Sequence, residues 1–300
     1  MSTDYEFSDA AYNALCERYS TRGEWGEGDG AGTLNRLGPA DVLGALSLVK
    51  EGTIVSCGGP SRFGTGEIAD GTPSPATLHQ WYDCGQDWAA TNDRWCTDLH
   101  GARSQSHIDY LHHFFRDETN YLGWSRERTQ AEFGLDPATG GIITRGVLLD
   151  IEGYLGQPAT AAVRLPTLEA VIAAQGTQLR PNDAVIFNTG FDFDAADIHE
   201  LGGPQPGIHI ECADRILSNQ PALIGSDMGT DASPSPVPGC MVPWHLLVLV
   251  YAGIRLLDGM SLHQLALACR ERNRYEFALV VAPVKIPGAS GSPLNALAVL

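Results

Sequence analysis

Strand-like and helix-like segments alternate along the second half of the chain, and this order constrains the fold more than any other feature. From residue 142, apolar strand-like runs take turns with segments of about ten residues that carry apolar side chains at helical spacing. Strands separated by helices of that length predict an α/β architecture around a mixed or parallel sheet. In order, the segments are IITRGVLLDI, PTLEAVIAAQG, DAVIFNTGF, IECADRILSNQ, ALIGSD, HLLVLVYAG, SLHQLALACRE, FALVVAPVKI and ALAVL.

The first half of the chain contains fewer regular segments. We expect helices at AAYNALCERY and at GPADVLGALSLVKEG, where Pro stands at the start and Gly at the end. The segment TIVSC is typical of a strand, and residues 58–78, rich in Gly, Pro, Ser and Thr, should form a long surface loop. Because no long period repeats, we expect one domain with extended loops.

Composition and charge narrow the classes of partner. The chain has 300 residues, of which 43% are apolar, and a formal net charge of −17. This negative charge repels nucleic acid and contributes little binding energy at an anionic membrane. We therefore expect a small-molecule substrate.

Cysteine usage and the N-terminus bear on the compartment. The seven cysteines are scattered without a C-x-x-C pair, which predicts free thiols rather than a disulfide framework or a thiolate zinc site. The N-terminus lacks the order of a signal peptide, and the longest apolar run, LLVLVYAGI, is far shorter than the roughly 20 residues of a membrane span. We therefore expect a soluble, cytoplasmic protein.

Histidine is concentrated in one stretch, HGARSQSHIDYLHHFF. Four of the nine histidines and one aspartate fall there within fourteen residues. If RSQSHID is extended, alternate side chains share a face, which groups Arg103, His107 and Asp109. The following DYLHHFF is typical of a helix start, where positions four apart are neighbours, so Asp109 should meet His113.

The expected proximity of His107, Asp109 and His113 predicts a catalytic or metal-binding site. A histidine held by a carboxylate keeps one tautomer and can transfer protons near neutral pH. The same residue types also suit a divalent metal ion. His100 and His112 are equally well explained as ordinary, partly buried residues, and His112 points away from the convergence.

Several segments match, in the same order, the motifs of one known family. SHIDYLHHF is similar to H-x-G-T-H-x-D-A-P-x-H-F, and GEGDGAGTLNRL, which follows Trp25, is similar to W-G-x-x-D-x-x-G-T-L-N. Further matches are RGVLLDI, LRPNDAVIFNTGF, PGIHIECADRIL, ALIGSDM and APVKIPGASGSPLNALAVL. The chain thus resembles the cyclase family that includes kynurenine formamidase and isatin hydrolase, in its long bacterial form. The matches run from Trp25 to Leu300, so we expect a cyclase-like hydrolase domain at 25–300 and a helical arm at 1–24.

The resemblance implies a fold, an assembly and a chemistry. The fold is a single compact α/β/β domain with a mixed, barrel-like sheet flanked by helices, the swivelling fold of kynurenine formamidase. The assembly is a homodimer or homotetramer in which a loop of the neighbouring subunit helps to close the site. The chemistry is hydrolysis of the C–N bond of an amide, formamide or cyclic amide by metal-activated water.

The resemblance also assigns roles by position. His107 and Asp109 match the second and third metal ligands, and His113 matches the catalytic histidine that shuttles the proton. The first ligand position holds Arg103, whose guanidinium stays protonated and cannot bind a metal. His100 would replace it only if the backbone bulges, since it lies seven residues before His107 and should face the other side of the strand.

Two residues in the C-terminal part of the chain, His245 and Asp258, also match site positions of the family. His245 matches a ligand or proton-relay histidine, and Asp258 stands where the family usually has glutamate. Thirteen residues of continuous helix would turn these side chains apart. We therefore expect the helix to break at Gly253.

Two mechanisms are open. In the first, His107 and Asp109, with His100 or His245, hold zinc or manganese, which activates water. In the second, which we slightly favour, no metal is needed: Arg103 stabilises the oxyanion while His113, paired with Asp109, deprotonates water. Arg103 is also explained by a structural ion pair with Asp109.

We therefore expect a hydrolase that acts on a small amide, formamide, cyclic amide, imide or lactone. The alternative is a diverged member that cyclises or dehydrates its substrate, or only binds a small ligand, which the replacements at Arg103, Tyr110 and Leu111 would explain. Candidates for lining a substrate pocket are the aromatic residues Trp25, Phe63, Trp81, Trp88 and Phe191.

Overall fold

Helices cover both faces of a central sheet in the computed structural model, which describes residues 7–59, 66–67, 73–74, 76–83, 89–96, 99–100, 106–191 and 205–300. A π-helix, Leu246–Ala252, continues directly from α7. The helices are α1 (Asp9–Tyr19), α2 (Pro39–Leu46), α3 (Arg126–Glu132), α4 (Ile151–Leu155), α5 (Leu165–Gln175), α6 (Ala213–Leu217), α7 (Pro243–His245) and α8 (His263–Arg272).

Strands in the described residues form one large sheet and three small ones. They are β1 (Ile54–Ser56), β2 (Gly66–Glu67), β3 (Pro73–Ser74), β4 (Ala76–Asp83), β5 (Ala89–Cys96), β6 (His107–Asp109), β7 (Ile142–Asp150), β8 (Ala184–Asn188), β9 (Gln205–Pro206), β10 (Leu223–Ser226), β11 (Ala232–Ser233), β12 (Arg255–Asp258), β13 (Glu276–Val281), β14 (Gly291–Pro293) and β15 (Leu297–Val299).

The large sheet is mixed. Its order is β1–β15–β13–β7–β8–β10–β12–β6–β14, in which β7, β8, β10 and β12 run parallel and the remaining pairs are antiparallel. This nine-stranded half-barrel with flanking helices confirms the predicted α/β architecture.

Apolar layers cover both faces of the central strands. Along β7, Val147 and Leu149 pack into one core with α1, α5 and the π-helix, whereas Leu148 packs into the other core with α8. Strands that are buried on both faces need apolar side chains at nearly every position. This explains the continuous apolar runs in the sequences of the central strands.

Several elements differ from the sequence prediction. The helix expected over IECADRILSNQ is only the short α6 after a 3₁₀ turn, and the strand expected over FALVVAPVKI ends at Val281, before Pro283, because proline cannot donate to a ladder. Strand β12 was not predicted, since its four residues lie between two apolar helical segments. Of the loop expected at 58–78, the described parts include β2 and β3, which pair with each other.

No helix within the described ranges combines the length and the apolar character that a membrane crossing requires.

Candidate active site

Two adjacent strands bring three of the predicted site residues to one place. His107 and Asp109 lie two positions apart on β6 and share a face, while Ile108 between them is fully buried in the core. Antiparallel pairing sets Asp258 of β12 directly opposite His107. Asp258 ends β12, so the cluster lies at the carboxyl end of a parallel strand, where α/β sheets usually carry their sites.

His245 reaches the same cluster because its helix breaks where expected. The π-helix ends at Gly253, whose φ of +66° is a left-handed conformation that suits glycine. The chain then returns as β12, which places His245 Nε2 at 3.0 Å from Asp258 Oδ2 and 3.5 Å from Asp109 Oδ2. The predicted break at Gly253 is confirmed.

Asp231 is a member of the cluster that the sequence analysis did not name. It accepts hydrogen bonds from the backbone N–H of Trp244 (2.6 Å) and from Nδ1 of His245 (2.5 Å). Because Nδ1–H points at Asp231, Nε2 of His245 faces Asp109 and Asp258. The sequence does contain a sign of this role, because Asp231 ends the Gly-rich segment GSDMGTD at the end of a predicted strand. Residues that follow a parallel strand gather at the edge of the sheet where sites usually lie.

His100 also joins the cluster, contrary to the expectation that it faces away. Its Nδ1 lies 2.9 Å from Asp109 Oδ1, and its Nε2 lies 3.0 Å from Ser290 Oγ. His107 Nε2 lies 3.2 Å from the same carboxylate oxygen. The expectation was wrong because side-chain alternation applies only inside a strand, and His100 precedes β6 in a bend.

His113 does not reach Asp109 through a helix. Residues after Tyr110 form a turn, in which the His113 backbone N–H donates to the Tyr110 carbonyl (3.0 Å), so the predicted helix start is wrong. The His113 ring instead stacks on His100, with centroids 3.7 Å apart and planes inclined by 16°. His113 therefore borders the cluster through His100 and remains partly exposed.

His112 points out of the cluster, as expected. Its Nε2 lies 2.9 Å from the Ala289 carbonyl and its ring stacks on Phe133 at 3.5 Å. Burial lowers the pKa of His112 to about 4, so it is a neutral core residue at physiological pH.

The pKa values of Asp109, His245 and His113 are shifted in different directions, so these groups differ in charge at physiological pH. Burial acts to raise the pKa of Asp109, but His107 and His100 outweigh it and hold that pKa well below its usual range. Burial also acts to lower the pKa of His245, yet hydrogen bonds to Asp231 and Asp258 raise it well above the usual value. Burial lowers the pKa of His113 to about 3. The site thus combines an ionised carboxylate with a neutral imidazole.

Two overlapping groups have the composition and spacing of a metal site. His100, His107 and Asp109 form one, and Asp109, His245 and Asp258 form the other, each with its ligand atoms within 4.8 Å of one another. Asp109 is 1% exposed, and within the described residues its Oδ1 and Nδ1 of His100 have no hydrogen-bond partner. Buried polar atoms without partners are costly, and a bound cation would satisfy both.

Some predicted site residues have no described side chain. Trp81 belongs to β4, and nothing is described of its side chain; Arg103, Phe63 and Trp88 lie outside the described residues.

The two remaining aromatic candidates make other contacts. The Arg36 guanidinium stands 5.2 Å from the centre of the Trp25 ring. The Phe191 backbone N–H donates to Asp227 Oδ2 (2.9 Å), which ties the start of the segment after β8 to the end of β10. Phe114, which the sequence analysis did not name, is nearer to the cluster, at 5.2 Å between its ring centroid and that of His245.

Comparison with known proteins identifies the family. Residues 68–232, more than half of the chain, match the family model described as "Putative cyclase". No curated protein matches the chain.

Solved structures share the fold. A crystal structure of a novel cyclase has a TM-score of 0.78 and 24% identity over 95% of this chain and 99% of that one. Isatin hydrolase A from Ralstonia solanacearum has a TM-score of 0.56 and 18% identity over 82% of this chain and 91% of that one. An isatin hydrolase bound to the product analogue thioisatinate has a TM-score of 0.57 and 19% identity over 88% and 99%, respectively. Because the family model covers more than half of the chain, the chain belongs to the cyclase family.

Proposed function

We propose that this protein is a hydrolase that cleaves the C–N bond of a small amide, formamide or cyclic amide. One observation carries the proposal: Asp109 is buried among three histidines, at 2.9 Å from His100, 3.2 Å from His107 and 3.5 Å from His245. A buried carboxylate with several imidazoles is suited to bind a cation and to move protons. Two similar folds are named isatin hydrolases, so a cyclic amide like isatin is the first candidate substrate.

The residues fit a divalent cation such as zinc or manganese. His100, His107 and Asp109 would hold it, because the unpartnered Oδ1 of Asp109 lies beside both histidines. When bound, such a cation polarises a carbonyl oxygen and lowers the pKa of a water molecule. This arrangement supports the metal-dependent mechanism.

In the proposed reaction, His113 takes the proton of the attacking water. Burial lowers the pKa of His113, so the imidazole is neutral at physiological pH and one ring nitrogen has a free lone pair. The ring is held by stacking on His100 and by an edge contact with Phe114 at 4.6 Å. Because His113 is partly exposed, water and substrate can reach it.

His245 holds a proton on the other side of Asp109. It is hydrogen-bonded through Nδ1 to Asp231 and lies 3.0 Å from Asp258 through Nε2. That pair of carboxylates keeps the ring oriented toward the cluster. As the C–N bond breaks, the leaving nitrogen takes up a proton, and His245 and His113 are the described groups that can deliver it.

We further propose that the substrate is aromatic, because the Phe114 ring lies beside the cluster. The Phe114 ring lies 4.6 Å from His113 and 5.2 Å from His245, between the two groups that handle protons. An aromatic ring stacked there would place an adjoining amide carbonyl near Asp109 and its histidines.

A substrate panel tests the proposal. Purified protein should hydrolyse at least one of isatin, N-formylkynurenine, cyclic imides and lactones. His113→Ala should lower turnover by ~10²-fold or more, because general acid–base catalysis contributes that much. His263→Ala, an exposed histidine on α8, is the matched control and should leave turnover unchanged.

Two results would contradict the proposal. One is absence of turnover on every substrate by protein whose circular dichroism shows an intact fold. The other is a His113→Ala variant that keeps wild-type ligand affinity while the wild type shows no hydrolysis, which would indicate a protein that only binds its ligand.

A further inference from the structure

We infer that a cleft at the amino edge of the parallel strands binds a small organic carboxylate, with Arg36 as its main partner. One wall of the cleft is the chain that leads into β10 and β12, at Gln220 and Ile254, and the other wall comes from residues 18–36. We call this cavity the amino-edge cleft. The binding that we infer there does not depend on the proposed hydrolysis.

The amino-edge cleft is separate from the cluster around Asp109. Ile254 lies one residue before β12, whereas Asp258 of the cluster is the last residue of that strand. A strand rises about 3.3 Å per residue, so these two positions are roughly 13 Å apart. A small ligand in the cleft therefore does not reach the groups proposed to act on the substrate.

The size and lining of the cleft suit a small organic molecule. Its volume is about 400 Å³, within the range of roughly 300–1,000 Å³ that is usual for small-molecule sites. Leu217, Ala252 and Ile254 supply apolar surface, and the exposed Ser218 and Gln220 supply hydroxyl and amide groups. A ligand with an apolar body and one polar end would use both kinds of surface.

Arg36 has an unusually distant acidic partner for its burial. Its side chain is 23% exposed, and its Nη2 lies 3.5 Å from Glu24 Oε2. In the described part of the chain, the other ion-paired arginines that are less than a third exposed each have a carboxylate oxygen at 2.6–2.8 Å; they are Arg145, Arg215, Arg255, Arg270 and Arg272.

The Arg36 guanidinium is also held in place before a ligand arrives. It stands 5.2 Å from the centre of the Trp25 ring, a cation–π contact that restrains its side chain. One long contact to Glu24 leaves the planar fork of N–H donors short of acceptors. A ligand carboxylate, which accepts two parallel hydrogen bonds from such a fork, would satisfy it.

The charges of the cleft favour an anion. Arg18 and Arg36 line it, and Glu24 is the only acidic residue among the described lining residues. Arg18 is already bound to Asp214 at 2.6 Å, so Arg36 is the guanidinium that can bind a new partner closely. Because the chain as a whole carries a net charge of −17, anion binding needs such a local excess of positive charge.

Titration calorimetry of the full-length protein with benzoate at low ionic strength tests the inference. The wild type should bind benzoate saturably, and Arg36→Met should weaken binding by about 10-fold or more, because a charge-assisted hydrogen bond is lost. Arg36→Lys, which keeps the charge but not the fork, should give an intermediate affinity. Arg128→Met is the matched control, since Arg128 is an exposed arginine of α3 paired with Glu132, and should keep wild-type affinity.

A second variant should act in the opposite direction. Glu24→Gln removes the carboxylate that competes for Arg36, so benzoate should bind more tightly than to the wild type. A gain in affinity cannot result from poor folding. Equal affinity of Arg36→Met and the wild type, or unchanged or weaker binding by Glu24→Gln, would overturn the role of Arg36. Binding of inorganic phosphate but not benzoate would overturn the assignment to a carboxylate.

Discussion

Asp227 is a buried carboxyl group whose ionisation should limit stability at neutral pH. It is 1% exposed at the end of β10, where Thr189 Oγ1 and the Phe191 backbone N–H donate to its oxygens, each at 2.9 Å. Burial nevertheless dominates and raises the pKa of Asp227 from 3.8 to about 7.

The direction of the effect follows from linkage. A carboxyl group whose pKa is higher in the folded than in the unfolded state favours folding only while it is protonated. Stability therefore falls as the pH rises from about 4 to about 7, and the loss is complete above the folded pKa. At 1.36 kcal/mol for each pKa unit, the rise from 3.8 to about 7 is worth about 4 kcal/mol.

Asp227→Asn isolates this contribution because it removes the titrating group with little change in shape. We expect the unfolding free energy of the variant, minus that of the wild type, to increase by about 4 kcal/mol between pH 4 and pH 8. Urea unfolding over that pH series measures it, and any constant loss from altered hydrogen bonds cancels in the difference. A difference that stays flat with pH would refute the reasoning.

Three further changes test the site and its support. Asp231→Asn removes the charge that orients His245, so kcat should fall about 10–100-fold with little change in KM, and unchanged steady-state kinetics would argue against this role. Dialysis against a chelator should abolish amide hydrolysis and Zn²⁺ or Mn²⁺ should restore it, whereas full activity after dialysis would point away from a cation. Arg255→Leu leaves the buried carboxylate of Asp136 unpaired and should cost about 3–5 kcal/mol in urea unfolding, part of which Asp136→Asn should recover.

The order of strands and helices could be predicted from the sequence because it depends on local patterns. Apolar runs between turn residues mark β7, β8 and β10, and a proline near the start with a glycine at the end marks α5. The same local reasoning placed His107 and Asp109 on one face of a strand and predicted the helix end at Gly253.

The assembly of the site depended on contacts that no local pattern encodes. The register of β12 against β6 sets Asp258 opposite His107, and β12 was too short to be recognised beside an apolar helix. Asp231 reaches His245 only because the chain after β10 passes beside α7.

The sequence by itself determined the α/β architecture, the pairing of His107 with Asp109 and the family resemblance, because each follows from residues that are near one another in the chain or from motif order. Only the tertiary structure decided that His100 lies against Asp109 and that His113 stacks on His100. The physical reason is that a bend and a turn flank β6, and the alternation that governs a strand gives no direction to side chains beyond its ends.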